Sequence, residues 1–426
     1  MNKKISTIYN KNTVRVFKNT GYLAFGSIFS KGLLMIVFIY IARVLGPDQY
    51  GSYFAAIEYV TLVALFSKLG FDMTAIREGA KNIANMNEMQ NKLFTIRIYF
   101  SIVVSLLGLF IAFSLNYSEE VLKLIILLLP LVIIGGAVSS GIIEHFNTSF
   151  RIIENMKIVT IIQVTRALLF VLFSSIIIFL GYFNLIYFAL LVILSSLLSA
   201  IIQFIFIRKY FDFHFAFNID TQLVRKLMRP IILFGIVSIL YMVSMKIDIQ
   251  MLSNMVSQSE VGYYAAGWQI NNVGIVFISA LSLSLFPNSS RKIKQLAYRK
   301  KLGVFLMLLA TGIGFILFLL SENADYVVIL LYGQKFESAI PLLKILIWFI
   351  PIRILLIWGS QVLECGDFLA TRVIVYIIPM VLNILLNLIY IPIYGALAAA
   401  YISIISSFIM LILVSGSALF ISRKKL

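Results

Sequence analysis

The sequence predicts an all-α integral membrane protein with twelve transmembrane helices in two six-helix lobes. Three observations lead to this fold class: the composition, the number of apolar stretches, and a short repeat separated by half the chain. The chain has 426 residues, of which 61% are hydrophobic and 12% are charged, and its mean hydropathy is +1.00. Soluble domains carry about a quarter charged residues. This composition therefore excludes a water-soluble fold of this size.

Twelve apolar stretches are long enough to cross a bilayer, which takes roughly 20 predominantly apolar residues in a helix. They leave no stretch long enough for a separate soluble domain, which excludes a fused ATPase or a large catalytic head. The predicted spans lie at residues 21–42, 51–67, 94–115, 121–143, 157–180, 185–207, 231–253, 262–286, 302–320, 339–360, 371–391 and 396–421.

The net charge of +17 is explained by the orientation of the chain in the membrane. Of the 35 Lys and Arg residues, 27 fall in connections that are cytoplasmic if the N-terminus is inside, and three fall in outer connections. Cytoplasmic loops of membrane proteins carry this excess of positive charge. We therefore predict that both termini are cytoplasmic and that the charge serves no nucleic-acid partner.

A basic connection near the midpoint divides the predicted chain into two lobes. Residues 1–18 form a cytoplasmic N-terminus, 19–207 an N-lobe with spans 1–6, 208–230 a cytoplasmic linker, 231–421 a C-lobe with spans 7–12, and 422–426 a cytoplasmic tail.

A short repeat supports this division. Gly51-Ser52-Tyr53-Phe54-Ala55 opens the second span, and Gly262-Tyr263-Tyr264-Ala265-Ala266 opens the eighth. An even number of spans in each half gives both halves the same orientation, as in proteins built from parallel repeats.

Ionisable residues within the predicted spans are the main functional signal. Such groups cost several kcal/mol unless they face a wet cavity or a partner. Basic residues outnumber acidic ones there, which favours an anionic ligand, most naturally a phosphate. The basic residues are Lys31, Arg166, Lys246, Lys344 and Arg353, and the acidic residues are Glu58 and Asp248.

Depth in the membrane separates candidate binding residues from residues that extend to the interface. Arg166 and Lys344 lie nearer the ends of their spans, so extension of the side chain to the membrane interface is an equal alternative to substrate binding. Lys344 is the weakest candidate for substrate binding. Candidate substrate-binding residues are Lys31, Arg166, Lys246 and Arg353.

The two acidic residues have two open interpretations. Glu58 is either an ion-pair partner of Lys31 or Arg166, or a protonatable group coupled to an ion gradient. Asp248 is two residues from Lys246, so the two side chains do not share a helix face. Both acids are therefore candidates for ion coupling or for ion pairing.

Little in the sequence indicates an enzyme. The chain has one cysteine, Cys365, and two histidines, which argues against a metal cluster of His and Cys ligands. There is no glycine-rich loop of the kind that holds a nucleotide phosphate. The sequence therefore predicts no catalytic residues, no metal and no cofactor.

Several loop sequences resemble those of a known family. The turn Arg43-Val44-Leu45-Gly46-Pro47-Asp48-Gln49-Tyr50-Gly51 resembles the Leu-Gly-Pro-x-x-Tyr-Gly turn of bacterial polysaccharide exporters. Three further loops resemble those of the same exporters. They are the loop before the tenth span (Leu331–Phe336 and Ala339–Leu343), the turn between the eleventh and twelfth spans (Asn383–Asn387 and Ile391–Ala396), and the connection between the seventh and eighth spans (Asp248 followed by Val261–Tyr264). The chain thus resembles the O-antigen and polysaccharide flippases of the Wzx type, in the multidrug/oligosaccharidyl-lipid/polysaccharide exporter superfamily.

The resemblance implies two six-helix lobes around a V-shaped central cavity in the bacterial inner membrane. It implies translocation of an undecaprenyl-diphosphate-linked oligosaccharide from the cytoplasmic to the periplasmic leaflet by alternating access, with ion antiport as an option. It also suggests an O-antigen polymerase and a chain-length regulator as candidate partners. The alternatives are a multidrug exporter of the same superfamily and, in a different class, an O-antigen polymerase or ligase.

Overall fold

The computed structural model describes residues 13–81, 86–138, 140–214, 220–366 and 368–424. Helices make up nearly all of these residues. The helices of the first half are α1 Thr13–Leu45, α2 Pro47–Lys68, α3 Phe71–Lys81, α4 Met86–Ser114, α5 Glu119–Leu128, α6 Leu131–Ile134, α7 Gly141–Ile152, α8 Met156–Phe179 and α9 Leu185–Tyr210.

The second half continues the same pattern of long apolar helices. Its elements are α10 Thr221–Met255, α11 Gln258–Lys292, α12 Leu296–Glu322, α13 Ala324–Tyr332, a 3-10 helix Gln334–Ala339, α14 Ile340–Leu346, α15 Phe349–Cys365 and α16 Leu369–Lys424.

Polar caps mark where several helices begin. Ser118 Oγ accepts from the backbone N–H of Val121 at 3.4 Å at the start of α5. Asn184 Oδ1 accepts from the N–H of Ile186 at 2.9 Å at the start of α9. These bonds satisfy backbone donors that have no partner within the helix.

The all-helical membrane fold predicted from the sequence is confirmed. Within the described residues, nine helices are long and apolar enough to cross a membrane. Three of the twelve predicted spans are not counted as separate helices among these nine. The fourth is divided among the short helices α5–α7, and the seventh lies in α10. The twelfth forms one continuous helix, α16, with the eleventh. The number of twelve spans stays a prediction.

Helix α16 contains a bend that divides it into two membrane-length parts. It is 56 residues long, and Gly395 inside it has φ 58° and ψ −140°. A straight helix of this length would reach about 84 Å, well beyond the ~30 Å hydrocarbon core. Beyond the bend, the backbone N–H of Ala396 donates to Glu260 Oε2 at 2.7 Å. Side chains are strained at this φ, so the bend favours glycine.

The chain forms two compact units. The first contains residues up to Val37 together with Ala55–Met242, and the second contains Phe38–Phe54 and the chain from Val243 onward. A cluster in the first unit includes Phe94 and Phe146, whose rings stack at 5.6 Å. A cluster in the second unit is built around Leu306 and Ile354.

The repeated glycines meet in the second unit, where α2 and α11 begin. Gly51 packs against the backbone carbonyl of Gln258, and Gly262 packs against that of Pro47. A Cβ at either glycine would overlap that carbonyl oxygen. Ser259 Oγ also donates to Asp48 Oδ1 at 3.2 Å. The repeat noticed in the sequence is therefore a reciprocal contact between two helix ends.

Candidate functional site

The fourth predicted span is interrupted, and the interruption lines a cavity in the first unit. Between α6 and α7 the described residues are not helical, and Gly135, Gly136 and Gly141 have φ of 88°, 84° and 65°. Side chains are disfavoured at these angles. Non-helical backbone at membrane depth is tolerated where it is buried in protein or lines a cavity.

This cavity has a volume of about 190 Å³. It brings together two of the predicted binding residues, Lys31 from α1 and Arg166 from α8, which lie far apart in the sequence. Its lining residues are Ser27, Ser30, Lys31, Leu34, Gly136, Ala137, Val138, Ile143, Glu144, Asn147, Ile162, Gln163 and Arg166.

The charges of the cavity wall are unequally compensated. Glu144 accepts from Arg151 Nη1 at 2.6 Å and from Asn147 Nδ2 at 3.1 Å, and its Oε1 lies 3.8 Å from Lys68 Nζ. In contrast, Arg166 has no hydrogen bond or ion pair within the described part of the chain. Its guanidinium therefore remains available for an anion.

Sequence reasoning missed the buried ion pairs next to this cavity. Residues 68–93 connect the second and third predicted spans, and the structure places α3 and the start of α4 there. Asp72 lies 2.6 Å from Arg97 Nη1 and 3.3 Å from Lys68 Nζ, and Arg97 is 1% exposed. The four-residue spacing of Lys68 and Asp72 was the one available signal.

A second cluster surrounds Asp248 in the second unit. Its carboxylate accepts from Asn387 Nδ2 at 2.8 Å, from Tyr264 Oη at 3.4 Å, and from Ser403 Oγ. Asn387 Nδ2 also donates to Asn383 Oδ1 at 3.0 Å. These donors are neutral, and the described residues form no ion pair with Asp248. A buried carboxylate with neutral partners favours uptake of a proton or a cation.

Arg353 lines the same small cavity as Asp248. Its Nη2 lies 3.5 Å from Met245 Sδ, its Nη1 lies 3.8 Å from Met410 Sδ, and its guanidinium carbon lies 4.4 Å from the centre of the Phe349 ring. The cavity volume is about 10 Å³. That space suits a group no larger than a water molecule, so a sugar or a diphosphate does not fit there.

The other two predicted residues lie elsewhere. Lys246 is half-buried on α10 and is not a lining residue of either cavity. Glu58 is buried on α2 and also lines neither of these two cavities. The structure thus groups Lys31 with Arg166, and Asp248 with Arg353.

The chain shares its fold with several solved membrane transporters. A solved structure described as the lipid II flippase MurJ, inward closed, has a TM-score of 0.72 and 12% identity, over 94% of this chain and 87% of that one. An inward-facing multidrug resistance MATE family transporter has a TM-score of 0.69 and 15% identity, over 93% of this chain and 96% of that one.

A third structure is a superfamily transporter from Pyrococcus furiosus, described as having a binding pocket of reverse polarity. It has a TM-score of 0.65 and 15% identity, over 96% of this chain and 97% of that one. At these identities the three structures establish the fold.

Residues 16–293 match the family model described as polysaccharide biosynthesis protein. This match covers well over half of the chain, so the chain belongs to that family, which confirms the family recognised from the sequence. None of the curated proteins compared with the sequence matches it.

Proposed function

We propose that this protein is a flippase for an undecaprenyl-diphosphate-linked oligosaccharide, such as an O-antigen or polysaccharide repeat unit. It moves this substrate from the cytoplasmic to the periplasmic leaflet of the bacterial inner membrane by alternating access. The observation that carries the proposal is the cavity of the first unit, where Arg166 has no acidic partner among the described residues.

A diphosphate matches the electrostatics of this cavity. The carboxylate of Glu144 is already neutralised by Arg151, so it competes little for an anion at Arg166. A guanidinium binds phosphate oxygens through charge-assisted hydrogen bonds. The polar lining then faces the sugar attached to the phosphate, while the prenyl chain stays in the lipid.

Ion coupling belongs to the second cluster in this proposal. A proton or a small cation neutralises Asp248, whose partners are hydroxyl and amide groups. Glu58 remains a second coupling candidate. Membership of the polysaccharide biosynthesis family supports an O-antigen polymerase and a chain-length regulator as partners.

Complementation of a bacterial strain that lacks its own flippase tests the function. We expect the wild-type protein to restore O-chains on a gel and to lower the amount of undecaprenyl-linked units in the inner leaflet. Persistent unflipped units, together with expulsion of a cationic dye, would instead identify a drug exporter.

Arg166→Gln tests the cavity within the same assay. Loss of a hydrogen bond to a charged group costs about 1.5–3 kcal/mol, so we expect O-chain export to fall by about tenfold or more. Arg208→Gln is the matched control, because Arg208 is exposed and lies 4.8 Å from the Phe204 ring instead of lining the cavity. Equal export by the two variants, at equal protein levels, would contradict the role of the cavity.

A further inference from the structure

The turn between α11 and α12, in the second unit, carries a dense cluster of positive charge. Six basic residues fall within eleven positions, and no acidic residue lies between Glu260 and Glu322. Five of the six are exposed, and Arg299 is buried. The basic residues are Arg291, Lys292, Lys294, Arg299, Lys300 and Lys301.

The other predicted cytoplasmic connections between spans each supply a residue to an ion pair. These pairs are Lys68 and Asp72 at 3.3 Å, Lys92 and Asp220 at 2.9 Å, Arg151 and Glu144 at 2.6 Å, and Arg372 and Glu364 at 2.9 Å. In contrast, the exposed side chains of the α11–α12 turn form no ion pair with the described residues. The orientation of a membrane protein depends on Lys and Arg and little on acidic residues. Orientation therefore does not explain why this turn leaves its cations available.

Hydrogen bonds of Arg299 fix the shape of the turn. Its Nη1 donates to the carbonyls of Ile293 at 3.0 Å and Lys294 at 3.3 Å. Its Nη2 donates to the carbonyl of Ser422, near the end of α16, at 3.3 Å. Trp358 Nε1 on α15 donates to the carbonyl of Arg299 at 3.0 Å. The buried arginine thus holds the backbone that carries the exposed basic side chains.

Aromatic and apolar residues indicate that the turn lies at the level of the lipid headgroups. Tyr298 Oη shares a hydrogen bond with Ser289 Oγ at 3.0 Å, and Trp358 is half-buried. Tyr and Trp concentrate at the membrane–water interface. Leu296 is 57% exposed and begins α12, which is long and apolar enough to cross a membrane. Basic side chains at the end of a span extend toward the headgroups.

We propose that the α11–α12 turn is a binding surface for the headgroup of an anionic phospholipid in the cytoplasmic leaflet. Lys294, Lys300 and Lys301 bind the headgroup phosphate, and Leu296 contacts the acyl chains. A soluble phosphate would gain nothing from the exposed Leu296, so the occupant is a lipid. The surface does not depend on which substrate the protein moves, and a lipid bound there attaches the second unit to the leaflet.

Quenching of a fluorophore at the turn tests this surface on the purified full-length protein in phosphatidylcholine nanodiscs. The fluorophore is attached to Ala297→Cys in a Cys365→Ser background, because Ala297 is exposed in the turn. The quenchers are phosphatidylglycerol and phosphatidylcholine with the same spin-labelled acyl chain. We expect phosphatidylglycerol to quench at about fivefold lower content, the contribution of one cation near an anionic surface. Salt should weaken this preference, because the charges are exposed.

Two triple variants of equal charge separate the turn from the general charge of the protein. The test variant replaces three exposed lysines of the turn, Lys294→Gln, Lys300→Gln and Lys301→Gln. The control removes the same charge from exposed positions of the first unit, Lys209→Gln, Arg225→Gln and Arg229→Gln. The test variant should lose the preference, and the control should keep it. Phosphatidylglycerol should also raise the unfolding temperature of the control but not that of the test variant, because a ligand that binds the folded state stabilises it.

Three results would overturn this proposal. A wild-type protein quenched equally by both lipids has no headgroup site, and an acidic segment of a cytoplasmic protein then becomes the partner to test. An equal loss of preference in both triple variants would show a diffuse effect of net charge. Loss of the preference on addition of inorganic phosphate would assign the turn to a soluble anion. None of these results affects the proposed function, because the measurement involves no transport.

Discussion

Two buried aspartates in this chain have opposite electrostatic surroundings. Asp72 forms ion pairs with Arg97 at 2.6 Å and with Lys68 at 3.3 Å. Asp248 has only hydroxyl and amide donors around it in the described residues. Removal of the negative charge should therefore destabilise the fold at Asp72, where it breaks ion pairs, and cost little at Asp248, where it breaks no ion pair among the described residues.

Substitution of each aspartate by asparagine tests this difference. We expect Asp72→Asn to lose about 3–5 kcal/mol of stability, because it leaves Arg97 buried without its partner. Asp248→Asn should unfold at the same temperature as the wild type or at a higher one. Thermal unfolding of both variants in detergent provides the measurement, and the reverse order would contradict the assignment of charges.

Asp248→Asn should also remove the response of transport to an ion gradient. Without the carboxylate, a cation no longer stabilises the protein on binding. Flipping in proteoliposomes, with and without imposed Na⁺ and proton gradients, measures the response. If the variant still responds to both gradients, coupling resides elsewhere, and Glu58→Gln becomes the next variant to measure.

Depth and spacing in the sequence selected candidate residues without showing which of them meet. Lys31 was selected for its depth and Arg166 as a basic residue nearer the end of its span, and their common cavity depends on the packing of α1 against later helices. Arg353 was identified by the same argument, yet methionine sulfurs and the Phe349 ring surround it. No pattern in the sequence predicts contacts of an arginine with sulfur atoms and an aromatic ring, because they depend on which distant side chains meet.

At the scale of elements, the break in the fourth span determines the shape of the cavity. A Cβ on Gly136 would lie 2.9 Å from Ser196 Oγ and 3.1 Å from Arg166 Cδ. Both contacts are tighter than ordinary van der Waals distances, so an added methyl group requires the side chains of Ser196 and Arg166 to shift.

Gly136→Ala should therefore impair transport beyond its effect on stability. Gly181→Ala is the matched control, because Gly181 also has a positive φ, 75°, but nothing lies within 4 Å of the added Cβ. Each variant should lose about 1 kcal/mol from backbone strain, while only Gly136→Ala should lower O-chain export. Equal export by both would show that the position of Arg166 is unimportant.

The glycine contact between α2 and α11 has an equally local consequence. Gly51→Ala places a methyl group against the backbone carbonyl of Gln258, which cannot move as a side chain can. We expect a loss of about 1–3 kcal/mol from overpacking, seen as a lower unfolding temperature.

Gly312→Ala provides the control for this substitution. Gly312 lies in α12 with nothing within 4 Å of an added Cβ. Alanine there should leave stability unchanged or raise it by about 0.5–1 kcal/mol through its higher helix propensity. A Gly51→Ala variant as stable as Gly312→Ala would mean that the two helix ends separate easily.

At the scale of the whole molecule, hydropathy predicted the membrane fold and the approximate positions of the spans. It did not predict that the fourth span is broken or that α16 continues through a bend. Both features depend on glycine backbone angles and on neighbouring groups such as Glu260. It also gave no sign that Arg97 and Lys68 meet the buried Asp72, because that contact depends on which helices pack together.

The orientation of the whole chain is predicted from its charge distribution and can be measured directly. In a Cys365→Ser background, Tyr182→Cys should react with a membrane-impermeant maleimide in spheroplasts, because residue 182 lies in a predicted outer connection. Lys294→Cys should react only after lysis. Both positions are exposed in the structure, so burial does not explain a difference. The opposite labelling pattern would reverse the predicted topology.

The interruption of the fourth span also constrains how the protein is made. Its helices have 10, 4 and 12 residues, each too short to cross a bilayer that takes roughly 20. Lipid does not tolerate an exposed gap in a helix, so the nascent segment should enter the bilayer as one continuous helix. Gly136 lies next to the side chains of Arg166 and Ser196, which are synthesised later. The cavity should therefore be absent until the ribosome has released the sixth span, which makes it a late product of biogenesis.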